Sequence, residues 1–244
     1  MIPEPFNFSD HLEELRKRLL IVLAYLTGLS ILSLVFSDGI VELVTTPIKS
    51  HLYSLYFLTP YEAFLTKLKV SFLAGIILSL PVIFYQLWLF AAPGLYPSEK
   101  KVITPLVLIS TGLFVAGVLF AYFLVIPFAL SFFLGFQTDT LVPLISIGSY
   151  LSFFISVILV FGVLFDLPVL LVGLIWLGVI GAEFLASQRK PAIVIIFILA
   201  AVLTPTVDLI TQCLLAVPLW LLFELSIVIG RMIEKRKNGI TVSH

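Results

Sequence analysis

The chain has 244 residues, 61% of them hydrophobic and 11% charged, with fourteen Lys and Arg against fourteen Asp and Glu. Soluble domains hold about 25% charged residues, so this composition and a mean hydropathy of +1.19 exclude a soluble fold and indicate an all-α, polytopic integral membrane protein. Long unbroken apolar blocks argue against a transmembrane barrel, and the single cysteine, Cys213, excludes a disulfide framework and a cysteine metal site.

The first ten residues are acidic rather than basic, and the first apolar stretch, Leu19 to Phe36, is too long for a signal-peptide core. It is expected to stay as a span. Just before it, Asp10 and Glu13 fit a helix-capping pattern, and Leu12, Leu15 and Leu19 form an apolar stripe. Glu13–Lys17 and Glu14–Arg18 stand at i,i+4 spacing, where an ion pair is worth about 0.2–0.5 kcal/mol. For Glu13 that structural reading is preferred; for Glu14 spacing does not decide.

A spanning helix needs roughly 17–25 apolar residues. Six blocks are assigned that role, at about 17–36, 68–90, 103–126, 151–177, 191–203 and 209–229, within one transmembrane domain covering 1–244. Residues 37–67, with Pro47 and Pro60, are expected to form short helices on the outer face. Together with 127–150, which carries Asp139 and no basic residue, they would cap the bundle there. Glu99 opens the third span, where an acid can simply complement the positive end of a helix. Residues 191–203 rise only about 20 Å, against a hydrocarbon core of about 30 Å, and the sixth block is apolar without interruption only from Leu209 to Phe223. Helices five and six should therefore be short, with a thinned bilayer beside them. The fourth block carries Gly162 and Pro168 and is expected to tilt or kink near Asp166.

Orientation follows from the basic residues. With the N-terminus in the cytoplasm, eleven Lys and Arg fall inside and three, Lys49, Lys67 and Lys69, outside. That is a positive-inside distribution. Six spans then also place the C-terminus inside.

Between Lys101 and Glu183 the only charged residues are Asp139 and Asp166. A carboxylate near a bilayer centre costs on the order of +2.5 to +3.5 kcal/mol on insertion scales, so it marks a site facing a partner, a cavity or a substrate. The structural alternative for Asp166 is a buried acid hydrogen-bonded to a neighbouring helix. Catalytic motifs are missing: His11, His51 and His244 lie outside the spans, and no HExxH or phosphate-binding loop is present. No enzyme activity, metal or cofactor is expected. On the inner face, Glu14 and Glu99 lie amid Lys and Arg, where two acids could act as paired receptors for a cationic ligand.

Several stretches, in order along nearly the whole chain, resemble the TatC family, the multispanning receptors of the twin-arginine protein translocase. They are His11-Leu12-Glu13-Glu14-Leu15-Arg16-Lys17-Arg18-Leu19, Tyr85 to Tyr96 through Glu99, Ser149-Tyr150-Leu151-Ser152-Phe153, Phe161 to Pro168, and Leu203-Thr204-Pro205 with Asp208, Gln212 and Pro218. The resemblance implies a protein of the bacterial or archaeal cytoplasmic membrane, or an organellar equivalent. It would bind the twin-arginine signal peptides of folded precursors and recruit single-span TatA/TatB-type partners, with transport driven by the proton-motive force. Contacts with membrane lipids and a homo-oligomer within a complex fit the same role; nucleic acid does not. By the motif match, Glu14 and Glu99 would receive the arginine pair, with Leu15, Arg16 and Phe90 in the same patch. Asp166, where the family usually has Glu, would meet a partner helix, as would Thr204 and Gln212. An intramembrane amide such as Gln212 can instead be interhelical glue. Pro47 and Asp208 match outer-loop positions tied to function, Pro47 equally well as a rigid turn. A common family pattern is Thr-Pro-Pro-Asp; here Thr204-Pro205-Thr206-Val207-Asp208 sets the acid one residue later.

Two other classes stay in view. A proton-coupled secondary transporter could use Asp166, but such folds show repeated halves with matching broken helices, and these halves do not match. An intramembrane enzyme lacks a second catalytic group.

Overall fold

The computed structural model describes residues 8–49, 54–91, 103–138, 143–203 and 209–241. Helix dominates, because in an apolar medium it satisfies backbone N–H and C=O groups within one segment. The described elements are α1 (Phe8–Val35), α2 (Ser37–Lys49), β1 (Leu55–Tyr56), α3 (Glu62–Ala91), α4 (Ile103–Phe120), α5 (Ile126–Leu134), β2 (Ile145–Ser146), α6 (Ile147–Trp176), α7 (Ala182–Ser187), α8 (Arg189–Leu203) and α9 (Leu209–Thr241). A π-helical turn, Ala121–Val125, runs α4 directly into α5, and β1 and β2 make a two-stranded sheet.

Among the described residues, five helical stretches are long and apolar enough to cross a membrane: Leu12–Val35, Glu62–Phe90, Ile103–Leu134, Ile147–Trp176 and Leu215–Lys235. The 15-residue α8 rises about 22 Å at 1.5 Å per residue, which makes it the short fifth helix of the sequence reading. The sixth behaves differently. Its apolar part is the beginning of α9, a continuous helix of 33 residues that runs on through a basic, polar end. Pro168 lies inside α6, which remains one helix of 30 residues. Asp139 lies outside the described residues.

The chain divides into two compact units. The first comprises Met1–Thr46, Leu55–Thr111 and Ser146–Leu151. Its framework is the antiparallel pair α1–α3. Gly75 allows the two backbones to meet, since a Cβ there would stand 2.9 Å from the Ser30 Cα. Arg18 Nη1 then donates to Gln86 Oε1 at 3.1 Å. Twelve residues back along α1 thus match eleven forward along α3, a rise of about 17 Å on each.

At the other end of α3, Glu62 is 9% exposed. Its carboxylate accepts from the N–H of Leu58 (2.6 Å), Thr59 (3.3 Å) and Gly148 (2.7 Å), and from the Ser146 hydroxyl. Tyr150 donates its hydroxyl to the Val44 carbonyl at 2.7 Å. These bonds tie α2, the turn before α3 and the start of α6 together, whereas residues 127–134, expected in the cap, continue the long apolar helix that runs from Ile103 to Leu134. The exposed Lys67–Asp38 pair, at 2.6 Å, adds little, as surface pairs do.

The second unit comprises Pro47–Ser54, Gly112–Ile145 and Ser152–His244. Here α4 and α6 approach through two glycines. A Cβ on Gly117 would lie 2.5 Å from the Phe161 carbonyl oxygen, and one on Gly162 would lie 2.5 Å from the Phe114 Cζ. Phe120 packs against Phe161 and Phe165 with ring centroids 5.7 and 5.2 Å apart. The end of α6 closes at Gly178, φ +77°, with Val179 N–H on the Leu174 carbonyl and Gly178 N–H on that of Ile175. This is a Schellman ending, which needs the left-handed conformation that glycine adopts freely. Beyond it, Ile175, Ala182, Leu185 and Ile227 form a buried cluster, fastened by Ala182 N–H to Glu234 Oε1 at 2.7 Å and by a two-bond Arg189–Glu224 pair.

Candidate functional site

The α1–α3 pair carries the acid that the sequence singled out. Glu14 lies one turn before Arg18, its side chain 34% exposed against 19% for Arg18. Arg18 Nε donates to Glu14 Oε1 at 3.0 Å, and Nη2 donates to the same oxygen. With Nη1 on Gln86, the guanidinium is shared between an acid of its own helix and an amide of the facing one. Phe90 stands one turn beyond Gln86, on the same side of α3 by the i,i+4 rule. In an antiparallel pair a turn back on one helix matches a turn forward on the other, so Glu14 and Phe90 share a level.

Around this cluster Leu12, Leu15 and Leu19 are exposed at 50%, 42% and 54%, and Arg16 is exposed beside them. The apolar stripe read from the sequence is therefore an open surface. Glu13 and Lys17 are exposed too, but among the described residues they form no ion pair, contrary to expectation. Holding two long exposed side chains in one geometry costs about as much entropy as the attraction returns.

Glu99, Thr204 and Asp208 lie outside the described residues. Asp166 is buried, 5% exposed, one turn after the Gly162–Phe114 contact in the second unit. Gln212 donates its amide to the Phe197 carbonyl at 2.9 Å, stitching α8 to α9 in the way the interhelical-glue reading anticipates. Pro47 is buried in the last turn of α2. Among the described residues no three His, Cys, Asp or Glu side chains gather as a metal site.

Two contributors escaped the sequence reading. Gln86 holds Arg18; its signals are an amide within an apolar run and its place in the Tyr85–Tyr96 motif, neither of which pairs it with Arg18. Glu62 gathers the cap, and its signal is an acid directly after the Pro60-Tyr61 turn.

The family model described as Sec-independent protein translocase protein (TatC) matches residues 10–218. The chain belongs to the TatC family. It is 42% identical over 238 residues to the TatC of Carboxydothermus hydrogenoformans, covering 97% of this chain and 98% of that one. The Aquifex aeolicus TatC is likewise 42% identical, over 237 residues covering 95% and 98% of the two chains. A crystal structure of the twin-arginine translocase receptor TatC superposes with a TM-score of 0.76 at 41% identity, across 92% of this chain and 99% of that one. As a TatC-family protein with five long apolar helices and the short α8, the chain is a multi-pass membrane component of the Sec-independent protein translocase.

Proposed function

We propose that this TatC-family chain is the receptor that binds twin-arginine signal peptides of folded precursors at its cytoplasmic face. It recruits single-span TatA/TatB-type partners for export driven by the proton-motive force, without enzymatic chemistry or a cofactor. It works as one transmembrane domain of the bacterial or archaeal cytoplasmic membrane, in contact with lipids and as a homo-oligomer within a larger complex. Glu14 and Glu99 receive the two arginines, and Leu15, Arg16 and Phe90 complete the patch. Asp166, Thr204 and Gln212 meet partner helices, and Pro47 and Asp208 act at the outer face.

One observation carries this reading: Glu14 already accepts a guanidinium, that of Arg18, through two N–H groups. A guanidinium presents a planar fork that carboxylates accept and a point-like ammonium does not copy. The open leucine stripe beside it suits the apolar part of a peptide. The test is binding of a synthetic twin-arginine signal peptide to the purified protein in detergent. Glu14→Ala and Glu99→Ala should each weaken it by about tenfold or more, the worth of a hydrogen bond to a charged group. Parent-like affinity in both variants refutes the site.

A further inference from the structure

Resting on that reading, we propose that Arg18 is an internal occupant of the acceptor, and that a signal arginine binds by exchanging with it. Arg18 sits where an incoming guanidinium would sit, with Nε and Nη2 both on Glu14 Oε1. The resting acceptor is therefore not a bare acid. Its charge is already met from within the same helix.

The arrangement suits an exchange. Ion pairs at i,i+4 spacing are weak, about a twofold effect on an equilibrium, so Arg18 is readily displaced. Gln86 Oε1 holds Nη1 independently of Glu14. When Glu14 passes to the peptide, the Arg18 head keeps an anchor on α3 instead of swinging free. Both partners remain partly open, at 19% and 34% exposure, so an incoming chain can reach the pair without prior unfolding of α1.

Internal occupancy lowers the apparent affinity of every ligand by one common factor, the fraction of time the acceptor is vacant. It leaves the ratio between arginine and lysine peptides unchanged, because the fork geometry sets that ratio. What it moves is the threshold: an arginine pair binds despite the discount, whereas a lysine pair falls too low to be held. Arg18 is thus a positioning and threshold-setting residue rather than a structural ion pair.

The experiment uses the full chain in detergent with labelled synthetic Arg-Arg and Lys-Lys peptides. Arg18→Gln should bind both peptides about two- to threefold more tightly with their affinity ratio held. Arg18→Lys, which keeps the charge and so guards against a folding defect, should give a smaller gain in the same direction. Combining Glu14→Ala with Arg18→Gln should cancel the gain. Weaker or unchanged binding in both Arg18 variants overturns the inference, as does a gain that survives without Glu14. If Glu14→Ala and Glu99→Ala bind like the parent, it is the receptor reading that fails, a result distinct from either.

Discussion

Glu62 and Asp166 are both nearly withdrawn from solvent, at 9% and 5% exposure. Glu62 accepts from three backbone N–H groups and a hydroxyl, a complete structural use of its two oxygens. Asp166 stands between Phe165 and Leu167 within an otherwise uncharged α6, where a carboxylate is costly to keep. Asp166→Ala should leave signal-peptide binding within about twofold while export of a twin-arginine precursor by membrane vesicles falls sharply. Normal export would place the residue in tolerated background. Asp166 was legible because one charge in a long apolar run stands out. Glu62 was not, since two of its four donors, Ser146 and Gly148, lie 84 and 86 residues away. The same distinction divides the receptor cluster: the spacing from Glu14 to Arg18 is written in one helix, whereas Gln86 is 68 residues from Arg18 and reaches it only through α1–α3 packing.

Among the elements, the α4–α6 crossing depends on two absent side chains. At Gly117 the obstacle to a Cβ is the Phe161 carbonyl, a backbone atom that cannot swing aside, whereas a Cβ at Gly112 meets nothing within 4 Å. Gly117→Ala should therefore destabilise the protein by about 1–3 kcal/mol, the usual cost of overpacking. Thermal unfolding in detergent checks this, with Gly112→Ala as the near-neutral control; equal melting temperatures would disprove the tight crossing. Hydropathy found the five long apolar helices among the described residues and the shortness of α8, because apolar length is what a bilayer measures, but it stopped the third near residue 126 where helix runs on to Leu134. It misjudged α9. The apolar run stops near Ile229, but Met232, Glu234, Lys235, Arg236 and Lys237 are strong helix formers and carry the helix on to Thr241.

Taken as a whole, the chain shows how much of a membrane protein composition can dictate. Six apolar segments and the excess of Lys and Arg at alternate connections specify an all-α architecture and an orientation before any contact is known. The pairings that join α2 to the start of α6, such as Tyr150 with Val44, 106 residues apart, were beyond such reasoning.

Burial is spread unevenly over the five long helices. In its most apolar stretch α6 has half its residues buried, whereas α1 has 6%. Beyond its seam with α3, α1 buries little within its own unit, so in a bilayer surrounding acyl chains would serve as its neighbour. Progressive delipidation should then let α1 fray first, with its amide hydrogens exchanging earlier than those of α6. Glu14 and Arg18 would go with it, and affinity for arginine peptides would decline while overall helicity still held; simultaneous loss of all three signals would contradict this. The receptor would then depend on the lipid annulus around it as much as on its own side chains.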